Sequence, residues 1–244
     1  MITIIVPISQ KELLKKYLTE LENLKNPVRA KVSAGFFKTG KGEYGEGDVF
    51  WGISVPEQRI VARKYVDRIN FADLKYLLRQ SVHELRFSAL AILVLKYQKN
   101  KKESEKEKIV KFYLKNMEHI NNWDLVDLSA PQILGDYFLN KNKNILFTLV
   151  NSQNFWERRI AVVATYGFIK NNKFDDALKI IELVLFDKQD LIHKAVGWML
   201  REIGKRNKKS EVDFLDKYAK RMPRTALRYA IEKFPKEERE KWLG

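Results

Sequence analysis

Apolar residues in this chain recur every three to four positions, in segments of about 10–18 residues divided by short polar breaks. That period places each apolar set on one stripe of a helix and leaves little room for a sheet. The spacing predicts helices over 10–25, 27–38, 56–69, 71–79, 81–99, 103–120, 122–140, 142–151, 155–171, 174–187, 189–206, 210–220, 224–233 and 236–243. Stops fall at the NP of 26–27, the VPE of 55–57, the NN of 171–172 and the MPR of 222–224. Pro56, Pro223 and Pro235 suit helix entries, where a missing N–H costs little. Period-two alternation is confined to the first few residues, so the expected class is all-α.

From about residue 81 the helices come in pairs roughly 35–40 residues apart. The openings HELRFSALAIL, FWERRIAVVAT and DLIHKAVGWML share a polar start, a basic residue and a small-residue apolar run. That is the logic of HEAT-like helical repeats, a solenoid (an α-α superhelix) whose curvature offers a concave groove. The expected organisation is one such domain over 1–244. The mixed-charge run KNKKESEKEK reads as the solvated start of a helix between repeats. The Gly-rich stretch 35–52, GFFKTGKGEYGEGDVFWG, lacks the strand–turn–helix frame of a nucleotide loop and is expected to be a flexible surface loop.

Lys and Arg number 46 against 31 Asp and Glu, a formal net charge of +15 spread over both ends of the chain. A folded surface with that excess attracts a polyanion, nucleic acid first among the candidates, so the groove is expected to be basic. The absence of Cys excludes disulfides, Cys-ligated zinc, iron–sulfur clusters and thiol catalysis. Three scattered histidines, His83, His119 and His193, argue against a metal site. No stretch approaches the ~18 uninterrupted apolar residues of a membrane span. The start MITIIVPISQ has too short an apolar run and no basic flank for a signal peptide. A cytoplasmic protein, bacterial by its Lys- and Asn-rich composition, is expected.

Three segments concentrate the chemistry. In 189–206, Ile192, Ala195, Val196, Met199, Leu200 and Ile203 form the core stripe. Trp198 lies roughly 130° from its centre and shares its face with Lys194, Arg201 and Lys205. An indole among cations suits sugar or base and phosphate, although packing beneath the next repeat explains it equally well. In NNWDLVDLSAPQILGDYF (121–138), Trp123 and Asp127 are neighbours at i, i+4 on the margin of an apolar stripe. The charge of that partly desolvated carboxylate depends on a nearby cation. Pro131 cannot donate to the carbonyl of Asp127, so the helix should kink or break there, with Asp124 or Asp127 as a possible cap for its restart. In FWERRIAVVATYGFIK (155–170), Arg158 and Arg159 oppose the helix dipole in the first turn, which calls for an anion nearby. Local pairing with Glu157 is the simplest partner for one of them.

No paired His, GxSxG, Walker or kinase motif is present, and no single lysine stands out as a nucleophile. The segments VFWGISVPEQR (49–59), HELRFSALAIL (83–93), NNWDLVDLSAP (121–131), FWERRIAVV (155–163) and DLIHKAVGWMLREIGK (190–205) together resemble the AlkD-type DNA alkylation repair glycosylases, a HEAT-like-repeat family. The resemblance runs over roughly residues 30–235. It implies that Trp123 and Trp198 are groove aromatics facing the damaged nucleotide. It implies that Asp127 is the catalytic carboxylate and Arg159 the phosphate-contacting arginine, with Arg158 an extra cation beside it. No contact is carried over before residue 50, where the Gly-rich loop is longer than the family's pattern.

The implied reaction is hydrolysis of the N-glycosidic bond of N3- or N7-alkylated purines in duplex DNA, by a monofunctional enzyme without metal or cofactor. The alkylated base is cationic and leaves unprotonated; a carboxylate then steadies the oxocarbenium-like sugar and orients water. Indole faces attract the cation. Nothing demands a dimer, so a monomer is expected. Two other readings remain: a non-catalytic helical-repeat protein that binds DNA or another polyanion, and a protein-binding scaffold with weak, salt-insensitive DNA binding.

Overall fold

The computed structural model describes residues 9–243, so the possible strand in the first few residues lies outside the described region. The described chain is helical, with no strand and a single isolated bridge, Val49 to Val82. It divides into two compact units at Leu125/Val126.

The first unit holds α1 (Gln10–Glu22), α2 (Pro27–Phe36), α3 (Val55–Tyr65), α4 (Phe71–Leu78), α5 (His83–Lys99) and α6 (Glu103–Lys115). Capping residues set their starts. Ser9 with Glu12, Ser54 with Glu57 and Asn70 with Asp73 form reciprocal boxes that satisfy the first backbone donors of α1, α3 and α4. Pro27 opens α2 and Pro56 lies in the first turn of α3, as expected of helix-entry prolines. Helix α5 packs against α3, α4 and α6 and is buried on nearly every side. The mixed-charge run spans the break after α5 and the first two turns of α6, where Glu103, Ser104 and Lys108 are exposed.

Helix α7 (Trp123–Ala130) runs across the division, with Trp123 in the first unit and Asp127 in the second. Beyond it lie α8 (Asn144–Leu149), α9 (Phe155–Ala164), α10 (Tyr166–Ile169), α11 (Asp175–Leu183), α12 (Asp190–Gly204), α13 (Lys208–Tyr218), α14 (Arg224–Ala230) and α15 (Lys236–Leu243). Helix α12 is the centre of the second unit and packs against α9, α13 and α14. Its expected core stripe, Ile192 to Ile203, is fully buried. A Cβ on Gly197 would collide with the Ala226 carbonyl and the Tyr229 side chain, so glycine sets the approach of α12 to α14.

Each expected helix is present, but several run shorter. The 122–140 reading becomes α7 followed by a π turn over Pro131–Gly135. Pro131 brings no N–H, and the backbone widens there instead of stopping. No side chain caps that restart, so neither Asp124 nor Asp127 acts as the cap. The 155–171 reading splits into α9 and α10 at Thr165, whose hydroxyl donates to the Val162 carbonyl at 2.6 Å and competes with the helix ladder.

The Gly-rich segment 35–52 corrects an expectation: it is not simply a loose surface loop. Its last part is tied to the first turn of α5. Val49 donates to the Ser81 carbonyl at 2.9 Å, and the Val49 carbonyl accepts from the His83 N–H at 2.8 Å. The buried Glu84 carboxylate accepts from the N–H groups of Trp51, Gly52 and Ile53 at 2.7–3.3 Å. Gly52 sits at φ +76, where a Cβ would also strike the Asn26 carbonyl.

Candidate active site

In the first unit, Trp123 opens α7 on an aromatic floor. Its indole stacks on Phe37 with ring centroids 5.2 Å apart and planes 15° from parallel, and meets Phe36 edge-on at 5.8 Å. Phe37 in turn contacts Phe50 and His83 at 5.0 and 4.9 Å, and Phe50 stacks on His83 at 4.7 Å. One face of the indole is therefore covered by this chain.

Beneath that floor lies a buried ionic network. His83 Nδ1 is 3.1 Å from Asp48 Oδ2, and Nε2 is 2.8 Å from Asp124 Oδ2. With a carboxylate at each nitrogen, both must donate, which only the imidazolium does. Burial on its own pulls the imidazole pKa down, but Asp124 and Asp48 more than reverse this and push it up to about 9. Arg86 donates to Asp48 Oδ1 at 2.7 Å, and Asn122 donates to Asp48 Oδ2 at 3.4 Å. Burial raises the Asp48 carboxyl, but hydrogen bonds from His83 and Arg86 bring it below the ordinary value.

In the second unit, Asp127 faces Arg159. One guanidinium nitrogen, Nη2, straddles both carboxylate oxygens at 2.8 and 2.9 Å, and Nη1 donates to the Leu191 carbonyl at 2.5 Å. The Arg159 side chain is only 5% exposed, whereas that of Asp127 keeps 22%. The carboxylate thus reaches solvent while its partner cation lies behind it. Arg158 turns to Asp187, at 2.6 Å through Nε and 3.1 Å through Nη2, and to the Ser152 and Gln153 carbonyls at 2.8 and 3.0 Å. The anions that the two first-turn arginines called for are carboxylates of this chain, and neither is Glu157.

Trp198 is half-buried on α12 and lies against Tyr166, with centroids 6.0 Å apart. The cations expected on its face all have acidic neighbours: Lys194 with Asp190 at 2.8 Å, Lys205 with Glu202 at 2.5 Å, and Arg201 with Glu232. Sequence reasoning missed the Asp48–His83–Asp124 network. Its one legible sign was a His–Glu pair opening a strongly apolar helix, which demands buried polar partners.

The family described as DNA alkylation repair enzyme matches residues 17–234. This chain belongs to that DNA alkylation repair enzyme family. Solved structures share its fold. A protein described as a predicted DNA alkylation repair enzyme from Enterococcus faecalis superposes with a TM-score of 0.66 at 20% identity, covering 87% of this chain and 97% of that one. AlkD2 from Streptococcus mutans superposes with a TM-score of 0.54 at 18% identity, over 93% of this chain and 100% of that one. No curated protein matches by sequence. The helical-repeat class read from the sequence is therefore the fold of this alkylation repair family. Among the described residues, no acidic or histidine cluster suited to a metal occurs and no helix is long and apolar enough to cross a membrane.

Proposed function

We propose that this alkylation repair protein is a monofunctional DNA glycosylase that hydrolyses the N-glycosidic bond of cationic N3- and N7-alkylated purines in duplex DNA. The observation that carries this reading is Asp127: a partly exposed carboxylate whose two oxygens are fixed by one buried guanidinium nitrogen. As the positively charged base departs with the bonding electrons, positive charge moves onto the sugar. A carboxylate about 4 Å away lowers the energy of that cation by roughly 4 kcal/mol at an effective dielectric near 20. The same carboxylate orients the attacking water and accepts its hydrogen bond. No general acid is required, because the leaving base is neutral once expelled.

In this reading Arg159 acts first as a positioning residue for Asp127, and a phosphate contact is an additional role. Trp123 and Trp198 offer indole faces to the cationic nucleotide. Lys194, Arg201 and Lys205 contribute to a basic, concave DNA-binding groove, and Arg158 serves mainly to brace α9. The enzyme acts as a monomer on chromosomal DNA in the bacterial cytoplasm and uses no metal or cofactor.

A second reading, a non-catalytic duplex binder, draws support from the pairing of Asp127 with Arg159, which partly cancels the carboxylate's field. The two diverge on one assay: release of 7-methylguanine and 3-methyladenine from methylated duplex DNA by wild type and Asp127→Asn. A glycosylase releases base, and the variant loses release while keeping duplex affinity. A binder releases none, and its Asp127→Asn variant binds as well or better.

A further inference from the structure

The Gly-rich segment, the first turn of α5 and the start of α7 converge on a single imidazole. We infer that His83 is a positioning residue for α7: through Asp48 on one side and Asp124 on the other, it clamps the turn that presents Trp123. The Asp124 side chain is largely buried, its Oδ1 has no hydrogen-bond partner among the described residues, and its Oδ2 is held by His83 at 2.8 Å. Without the imidazolium that carboxylate would be an uncompensated buried charge next to Trp123, and the turn would have to move to hydrate it.

Geometry adds a second link. The imidazole ring supports Phe37 and Phe50, and Phe37 supports the Trp123 indole, so His83 touches the tryptophan's floor as well as its neighbouring carboxylate. On the far side Asp48 is fixed by Arg86 and by Asn122, the residue just before α7. Glu84 locks residues 51–53 beside it. The charged groups facing the imidazole are therefore Asp48 from the loop, Asp124 from α7 and Arg86 from its own helix. This gives the glycine-rich segment a purpose: it brings Asp48 over α5 to anchor the histidine.

The kinetic part of this inference rests on the glycosylase reading; the structural part does not. The test uses His83→Phe, which keeps the ring floor and removes both donors, and His83→Gln, whose amide can still donate toward Asp124. The indole Nε1–H resonance of Trp123, assigned by its loss in Trp123→Phe, reports the position of the ring. Single-turnover release of 7-methylguanine and duplex affinity are measured alongside.

The expected result is a displaced Trp123 resonance in His83→Phe, with release at saturating enzyme slowed tenfold or more and duplex affinity within about twofold of wild type. His83→Gln recovers most of both signals. A folded His83→Phe with an unmoved resonance and an unchanged rate overturns the inference, as does a His83→Gln no better than His83→Phe. If His83→Phe does not fold, Asp48→Asn, which is remote in sequence from Trp123, is read against the same resonance, and an unmoved signal is again decisive against the clamp. If wild type releases no base, the glycosylase reading fails and the indole resonance still decides the clamp.

Discussion

Arg159 holds both oxygens of Asp127 through one nitrogen and ties its other terminal nitrogen to the backbone of Leu191. The carboxylate that the resemblance marks as catalytic is thereby fixed to the start of α12 as well as to α9. A rigid anion is what a transient sugar cation needs, because no reorganisation is left to be done as the charge develops.

Asp127→Asn keeps the size of the side chain and removes its charge. Loss of one preorganised electrostatic group typically costs about 10²–10³ in rate. Base release under single-turnover conditions should fall by that order while duplex affinity holds or rises. A variant with wild-type release would remove Asp127 from the mechanism.

Arg159→Lys keeps the charge and loses the planar fork, so one ammonium cannot serve both Asp127 and Leu191 with the same geometry. Release should drop roughly 10–100-fold, corresponding to about 1.4–3 kcal/mol. Comparing kcat with KM locates the fault: a positioning role lowers kcat, whereas a pure phosphate contact raises KM and leaves kcat alone.

Much of this was legible in the sequence. The buried stripe of α12 follows from apolar spacing alone, and the need of two first-turn arginines for anions follows from the helix dipole. The identity of those anions did not follow, because Asp127 and Asp187 lie about thirty residues away and on opposite sides of Arg158 and Arg159 in the chain. Asp48 was hidden for the same reason: its value comes from a loop that carries it to His83, and glycine-rich sequence reveals freedom of the backbone without revealing its destination. The split at Thr165 turns on one hydroxyl bonding back into its helix, a choice that periodicity cannot register.

Arg158 illustrates the contrast between bracing and binding. Its side chain is 17% exposed and pairs with an Asp187 side chain exposed by only 6%. Arg158→Ala leaves that carboxylate buried without its cation, a loss of about 3–5 kcal/mol. Thermal unfolding should fall by roughly 6 °C or more. The salt dependence of duplex binding should keep its slope, while a phosphate contact would reduce the slope by about one.

The His83 network makes stability depend on pH in a definite direction. The imidazole titrates near 6.5 in the unfolded chain and about 9 in the folded one. Its contribution is complete below pH 6.5, where both states are charged, and is lost as pH rises through 9. The difference is on the order of 3 kcal/mol. Chemical denaturation of wild type should show this decline between pH 6.5 and 9, and His83→Gln should make it shallower, most clearly above pH 8, where Glu211 no longer adds to it. A wild-type curve level across that window would contradict an imidazolium at this position.

Glu211 runs through a similar window for the opposite chemical reason. It is buried beside Gly204, its Oε1 has no hydrogen-bond partner among the described residues, and burial pushes its carboxyl up to about 8 even though Arg201 and Lys208 pull it down. An acid whose folded pKa is raised is neutral in both states below pH 4.5. Between pH 4.5 and 8 the unfolded chain ionises while the folded one resists, so its destabilising effect grows across that window and levels off above 8. Glu211→Gln keeps the shape and removes the ionisation, so it should be close to neutral at pH 4 and stabilising at pH 9, by more than about 1 kcal/mol. Melting temperatures of both proteins at the two pH values provide the check. Equal shifts at pH 4 and pH 9 would mean that the folded carboxyl is not raised, its charge being compensated by Arg201 and Lys208.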